Sequence, residues 1–186
     1  MRIVGGRLRG RQLAAPAEEG VRPTADRVRE SIFNILEHGS ADFSLDGIHV
    51  LDLFAGTGAL GIEALSRGAA YCLFVESDTQ ARAAIRRNIE GLGLTGHTKL
   101  FRRDATDLGA APNREAFRLV FLDPPYGKNL SALALASADK GQWLMPGALA
   151  VVEDRRDMAL TLPANFEQLD VRSWGNTQVT FARYRA

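Results

Sequence analysis

Hydrophobic positions fall into two alternating kinds of run along the chain. His49–Phe54, Tyr71–Glu76, Thr98–Phe101, Phe117–Leu122 and Ala148–Glu153 are short and rich in β-branched or aromatic residues, the pattern of strands buried on both faces. Between them the spacing turns helical: Leu60, Ala64 and Leu65 within Ala59–Arg67, stopped at Gly68; Ala81, Ile85, Ile89 and Leu92 within Thr79–Leu92; and a further helix over Leu130–Lys140. Upstream, Val28, Ile32, Ile35 and Leu36 mark an amphipathic helix over Thr24–Glu37. Thr24 is its expected N-cap, and Asp26 suits the positive end of its dipole. The fifth strand follows an expected turn at Met145-Pro146-Gly147. Phe166–Trp174 and Thr177–Tyr184 then alternate on either side of Gly175-Asn176, as a closing hairpin does. Strand–helix alternation ending in a hairpin predicts an α/β, Rossmann-like fold. Its sheet is seven-stranded and mostly parallel, with a C-terminal antiparallel hairpin and helices on both faces.

The chain has 186 residues, enough for one substantial core, and no repeat or linker interrupts it. One domain is expected over 1–186: an arm over 1–23, a leading helix over 24–37 and the sheet over 48–186. The net charge of +1 conceals an uneven distribution, because Arg2, Arg7, Arg9 and Arg11 occur without an acid among them. Arginines interleaved with glycines, followed by Arg22, Arg27 and Arg29 around the helix start, favour planar contacts with phosphate and hence a nucleic-acid partner. Cys72, the single cysteine, lies in an apolar run and reads as a core residue. His38, His49 and His97 lack ligand spacing, so no metal is expected. No run is long enough to span a membrane and no signal segment follows Met1, so a soluble, cytoplasmic protein is expected.

Candidate chemistry gathers at the ends of the predicted strands. After the first strand comes Gly56-Thr57-Gly58, a turn at which the backbone can approach a nucleotide-bearing ligand closely. Gly56, Gly58 and Gly61 fit the dinucleotide pattern G-x-G-x-x-G, which alone leaves the ligand open. Glu76 ends the second strand 20 residues past Gly56, where such folds hold ribose hydroxyls, with Ser77 next to it. Asp104 lies just beyond the third strand. The fourth runs directly into Asp123-Pro124-Pro125-Tyr126. Two prolines make a rigid bend there, presenting the Asp123 carboxylate and the Pro124 carbonyl as acceptors beside the flat face of Tyr126. Two acceptors and an aromatic plane suit a planar base with an exocyclic amine.

Asp123-Pro124-Pro125-Tyr126 resembles the [D/N]-P-P-[Y/F/W] motif of S-adenosylmethionine-dependent methyltransferases acting on exocyclic amines. The match narrows with Arg22-Pro23-Thr24-Ala25-Asp26-Arg27-Val28-Arg29-Glu30, with Leu51-Asp52-Leu53-Phe54-Ala55-Gly56-Thr57-Gly58 and with the arm Arg2-Ile3-Val4-Gly5-Gly6. Over essentially its whole length the chain is similar to the bacterial 16S rRNA guanine-N2 methyltransferases, the RsmD family. The resemblance implies a class I methyltransferase with S-adenosylmethionine as cofactor. Its methionine part would lie on Ala55, Gly56, Thr57 and Gly58 beside Asp52 and Phe54, its ribose on Glu76 and Ser77, and its adenine against Asp104 and Ala105. Asp123, Pro124, Pro125 and Tyr126 would be catalytic. Arg2, Arg7, Arg9, Arg11, Arg22, Thr24 and Arg27 would meet 16S rRNA, in the small ribosomal subunit or an assembly intermediate. A monomer without metal or membrane is expected. Neither NAD binding nor hydride transfer accounts for Asp123–Tyr126. A DNA adenine-N6 methyltransferase shares that motif, although the chain has no insert large enough for a target-recognition domain. A non-catalytic RNA-binding assembly factor would not need the intact acids and glycines of the cofactor site.

Overall fold

The computed structural model describes residues 1–15, 23–39, 43–112, 116–125 and 129–186, with side chains left aside at 23–25. In chain order the elements are α1 (Pro23–His38), β1 (His49–Leu53), α2 (Ala59–Ser66), β2 (Tyr71–Val75), α3 (Thr79–Gly91), β3 (Thr98–Phe101), β4 (Phe117–Leu122), α4 (Leu130–Lys140), β5 (Leu144–Arg155), β6 (Phe166–Trp174) and β7 (Thr177–Tyr184). The strands form a seven-stranded sheet in the order β3-β2-β1-β4-β5-β7-β6. Pairing is parallel from β3 to β5, and β7 is antiparallel to both β5 and β6.

Side chains alternate across this sheet into two apolar layers. Val50, Phe74, Phe121 and Val151 pack with Ile32 and Phe33 of α1, Ile62 of α2 and Ile85 of α3. Leu51, Val75, Leu122 and Val152 pack on the other face with Ala134, Leu135 and Ala138 of α4 and with Trp143. Burial on both faces is why the strands read as continuous apolar runs.

Two local expectations are corrected. Helix α1 begins at Pro23, so Thr24 lies in the first turn and is not the N-cap. Proline is favoured at that first position because its fixed φ suits a helix and its missing N–H would have had no partner there. Strand β5 begins at Leu144, four residues earlier than the run of apolar residues suggested. Its register advances from Leu144 to Leu149 while β4 advances only from Phe117 to Leu119, so Met145-Pro146-Gly147 is a bulge inside the strand. A bulge accommodates a proline, which has no N–H for the ladder.

The N-terminal arm is built into the core. It folds back on itself at an Arg2–Gln12 bridge and buries Ile3, Leu8 and Leu13. Its backbone is held by helix α2: Val4 N–H and Gly5 N–H donate to the Glu63 carboxylate at 2.9 and 2.7 Å, and Leu8 N–H donates to Ser66 Oγ at 2.9 Å.

Helix α2 approaches the sheet so closely that Gly61 has no room for a side chain. A Cβ there would lie 2.5 Å from both Cys72 Sγ and Phe74 Cε1. Alanine in place of a helix glycine ordinarily stabilises by about 1 kcal/mol. Overpacking a fully buried contact costs about 1–3 kcal/mol. Gly61→Ala is therefore expected to destabilise the protein, by up to about 2 kcal/mol net of the helix gain. Urea denaturation of the two proteins measures the difference.

Candidate active site

Parallel register brings five strands into line. Leu53 pairs with both Val75 and Leu122, Val75 with Phe101, and Leu122 with Val152. The chain thus leaves the sheet side by side at Phe54, Glu76, Arg102 and Asp123, while β5 runs on past this line to Arg155 beside β7. Strand order runs outward in opposite directions from β1 and β4, so the crevice of the fold opens between Phe54 and Asp123.

The turn after β1 alternates backbone handedness, with positive φ at Phe54 (57°), Gly56 (55°) and Gly58 (79°). Such alternation bends successive N–H groups toward a common concavity. A Cβ on Gly56 would meet no heavy atom nearer than Phe54 O at 4.0 Å, so the missing side chain leaves open space above the turn. At Gly58 the same atom would press on Phe74, Ile62 and Ile85 at 3.2–3.4 Å, so that glycine serves packing as well as the left-handed start of α2.

Glu76 is half-buried, and both carboxylate oxygens are oriented by backbone: Oε2 accepts from Gly56 N–H and Oε1 from Asp78 N–H, each at 2.8 Å. The loop carrying Glu76 is fixed in turn by buried Arg82, which donates to Ser77 O, to Glu76 O at 3.4 Å and to Thr79 Oγ1 at 3.0 Å. Ser77 itself is exposed. Asp104 is exposed beyond β3; its Oδ1 closes a local turn by accepting from Thr106 N–H and Oγ1 at 2.8 and 2.7 Å, and Ala105 is buried below it. Asp123 is exposed at the end of β4, Pro124 is buried and Pro125 exposed. Tyr126 and Arg22 lie outside the described residues, as does the side chain of Thr24.

Asp52 is the unusual carboxylate. It is 2 % exposed, and its Oδ2 accepts from Gly61 N–H at 2.9 Å. Burial pushes its pKa from the ordinary 3.8 up to about 8, against the lowering effect of that hydrogen bond and with a small further push from the Glu76 charge. Its closeness to the glycine turn suits a part in shaping that turn.

The predicted basic residues divide by position. Arg2, Arg7, Arg9, Arg11 and Arg27 are exposed. Arg7 and Arg9 sit at the tip of the arm against Ser66, at the far end of α2, which is about 12 Å of helix rise from Gly58. Arg11 donates to Gly91 O at 3.1 Å, at the C-terminal end of α3. Arg29 is only 4 % exposed and is taken up by Asp26, Arg2 O and Glu63, so it belongs to the interior. Sequence reasoning overlooked Glu63, Ser66 and Asn88, buried polar residues that fasten the arm. A signal was present for Glu63, a lone acid within the apolar stretch Gly61-Ile62-Glu63-Ala64-Leu65.

A Rossmann-like sheet with one antiparallel strand inserted beside β5, a glycine turn after β1 and an acid after β2 is the architecture of the class I methyltransferases. The solved structure titled "Putative methyltransferase yhhF from Escherichia coli" superposes with a TM-score of 0.83, at 30% identity over 100% of this chain and 98% of that one. Residues 1–183 match the family described as "Conserved hypothetical protein 95". The ribosomal RNA small subunit methyltransferase D of Haemophilus influenzae is 37% identical over 180 residues, 94% of this chain and 89% of the relative. Its namesake in Escherichia coli K12 is 37% identical over 167 residues, 89% and 81% respectively. The chain belongs to this family, that of the small subunit methyltransferase D proteins.

Asp52 makes the site sensitive to pH in a defined direction. Its carboxyl holds a proton in the folded chain up to about pH 8 but loses it near 3.8 when unfolded, so the folded state binds the extra proton across that window. Stability from this group is present at low pH and is lost as pH rises toward 8. Asp52→Asn keeps an acceptor for Gly61 N–H and removes the titration. The variant is therefore expected to gain stability relative to the parent between pH 5 and pH 8. Paired urea denaturations at the two pH values measure it.

Proposed function

We propose that the protein transfers a methyl group from S-adenosylmethionine to the exocyclic N2 amine of a guanine in 16S rRNA of the small ribosomal subunit, acting as a cytoplasmic monomer. The observation that carries this reading is the position of Asp123-Pro124-Pro125 at the crevice beside Phe54, one strand from the glycine turn and two from Glu76. The names of the family members at 37% identity support the same substrate class.

The residues present fit this cofactor. The open space over Gly56 accommodates its methionine part, the oriented Glu76 carboxylate has lone pairs left for two ribose hydroxyls, and Asp104 with Ala105 forms an edge suited to adenine. When bound, S-adenosylmethionine supplies a methyl group already activated by its sulfonium. The protein's task is then orientation. The Asp123 carboxylate and the Pro124 carbonyl accept the two hydrogens of the target amine, which turns its lone pair out of conjugation with the ring. Tyr126 stacks on the base. Guanine has to leave its helical stack to reach a crevice of this kind, which favours a loop or bulge as target. Arg2 and Arg27, both exposed, bind phosphates of the RNA, and Arg22 and Thr24 are assigned to the same partner. Arg7, Arg9 and Arg11 contact backbone well away from the target base, so the substrate is a folded RNA broad enough to reach the arm.

Two variants test the reading, with labelled-methyl transfer to small subunits from cells lacking the protein as the assay. Asp123→Ala removes the carboxylate that orients the target amine, and single-turnover transfer is expected to fall about 10²–10³-fold with RNA affinity retained. Full activity in that variant would overturn the mechanism, and transfer to DNA in preference to rRNA would overturn the substrate. Glu76→Ala is expected to weaken cofactor affinity at least about tenfold, since charge-assisted hydrogen bonds contribute about 1.5–3 kcal/mol each. It should also lower stability, because Gly56 N–H and Asp78 N–H lose their acceptor. Calorimetry with S-adenosylhomocysteine and thermal unfolding read the two effects separately.

A further inference from the structure

Asn88 stands on α3, is 4 % exposed, and joins two parts of the protein that are far apart in sequence. Its Oδ1 accepts from Ala14 N–H at 2.7 Å, and its Nδ2 donates to Ala14 O and to Thr57 O, each at 3.0 Å. An asparagine amide has two N–H donors, and both are engaged here. On one side the side chain pairs with Ala14 of the arm as a neighbouring β-strand would. On the other it holds the peptide between Thr57 and Gly58.

That peptide is fixed at both ends. Its carbonyl is held by Asn88, and its N–H donates to Ala55 O at 2.7 Å. The peptide between Ala55 and Gly56 is fixed in the same way, since Ala55 O accepts from Gly58 and Gly56 N–H donates to Glu76 at 2.8 Å. A glycine on each side of Thr57 makes this backbone intrinsically free to rotate, so its shape depends on these external partners. A second, weaker tie joins the same residue to the arm: Thr57 Oγ1 lies 3.5 Å from Met1 Sδ.

We propose that Asn88 is a positioning residue that couples the N-terminal arm to the cofactor turn, so that RNA held by the arm and cofactor held by the turn strengthen each other's binding. The inference rests on the assignment of the glycine turn to S-adenosylmethionine. Ordering the turn around a cofactor sets Thr57 O for Asn88, and Asn88 then presents its amide to Ala14. Ordering of the arm by RNA works in the opposite direction through the same atoms. Coupling between two binding sites is reciprocal, so each ligand shifts the affinity of the other by one common factor.

The unmodified protein supplies the first test, by amide hydrogen exchange with and without saturating S-adenosylhomocysteine. The arm amides of Ile3, Gly10, Leu13 and Ala14, all hydrogen-bonded in the structure, are expected to exchange several-fold more slowly with the ligand bound. Arm exchange unaffected by bound ligand would overturn the proposal. The second test is Asn88→Asp, which sets a carboxylate against two carbonyl oxygens. Its affinity for S-adenosylhomocysteine by calorimetry is expected to fall at least about tenfold, with loss of the arm's added protection. Its KM for S-adenosylmethionine should rise while kcat at saturation stays within about twofold of the parent. An affinity within twofold of the parent in a folded variant would also overturn the proposal. Should Asn88→Asp not fold, exchange in the parent decides. A parent that binds no S-adenosylhomocysteine would overturn the functional reading and this inference with it, whereas a parent that binds it without protecting the arm overturns this inference alone.

Discussion

A carboxylate with no exposure to water, that of Glu63, sits in the middle of helix α2, and the N-terminal segments are arranged to satisfy it. An unpaired buried charge costs several kcal/mol. Glu63 receives Val4 N–H, Gly5 N–H and Arg67 Nε at 2.7–2.9 Å, with Arg29 Nε at 3.5 Å. Arg67 extends the network to Glu37 at 2.5 Å, and Arg29 extends it to Asp26 at 2.8 Å and to Arg2 O. One side chain thereby joins the arm, both ends of α1 and the helix that follows the glycine turn. Gly5 and Gly6 lie so close to Arg67 and Ser66 that no side chain fits there. The arm is therefore a structural part of the fold, and its outward arginines are mounted on a packed support.

Carboxylates dominate the other side of the picture. Glu76, Asp104 and Asp123 stand at the edge where the parallel strands end, whereas the buried Asp52 keeps its proton up to about pH 8. Burial pushes the Glu153 carboxyl up, opposed by the nearby charge of Arg29. An acidic edge suits a cofactor with a sulfonium and an ammonium group and would repel RNA phosphates. The exposed Arg7 and Arg9 lie at the far end of α2 from that edge. This charge pattern suits the proposed cofactor in the crevice and the proposed RNA outside it.

Glu76 illustrates how one residue serves two levels of structure. Its position at the end of β2 follows from strand length and is visible in sequence. Its bonds to Gly56 and Asp78 N–H groups show that it also shapes the turn and loop on either side of it. A ligand that used these oxygens would be linked to loop order, because they also hold the turn and the loop.

Periodicity and glycine placement in the sequence alone determined the order of strands and helices, the parallel core with its closing hairpin, and the gathering of Gly56, Glu76 and Asp123 at strand ends. These properties are local: burial on both faces makes a strand continuously apolar, and a parallel sheet sends every chain exit to the same edge. Thr24 and the Met145-Pro146-Gly147 segment misled because a helix start and a bulge differ from their neighbouring alternatives by only one or a few residues. What only the tertiary structure decided is every contact made across a large gap in the chain. Ala14 meets Asn88 across 74 residues and Val4 meets Glu63 across 59. The arm read as an irregular basic segment suited to RNA, and folding further buried Ile3, Leu8 and Leu13, set Arg7 and Arg9 at the far end of α2 and drew Arg29 inside. No periodicity encodes such pairings, because a buried polar group is satisfied by whichever donor the packed fold brings within about 3 Å.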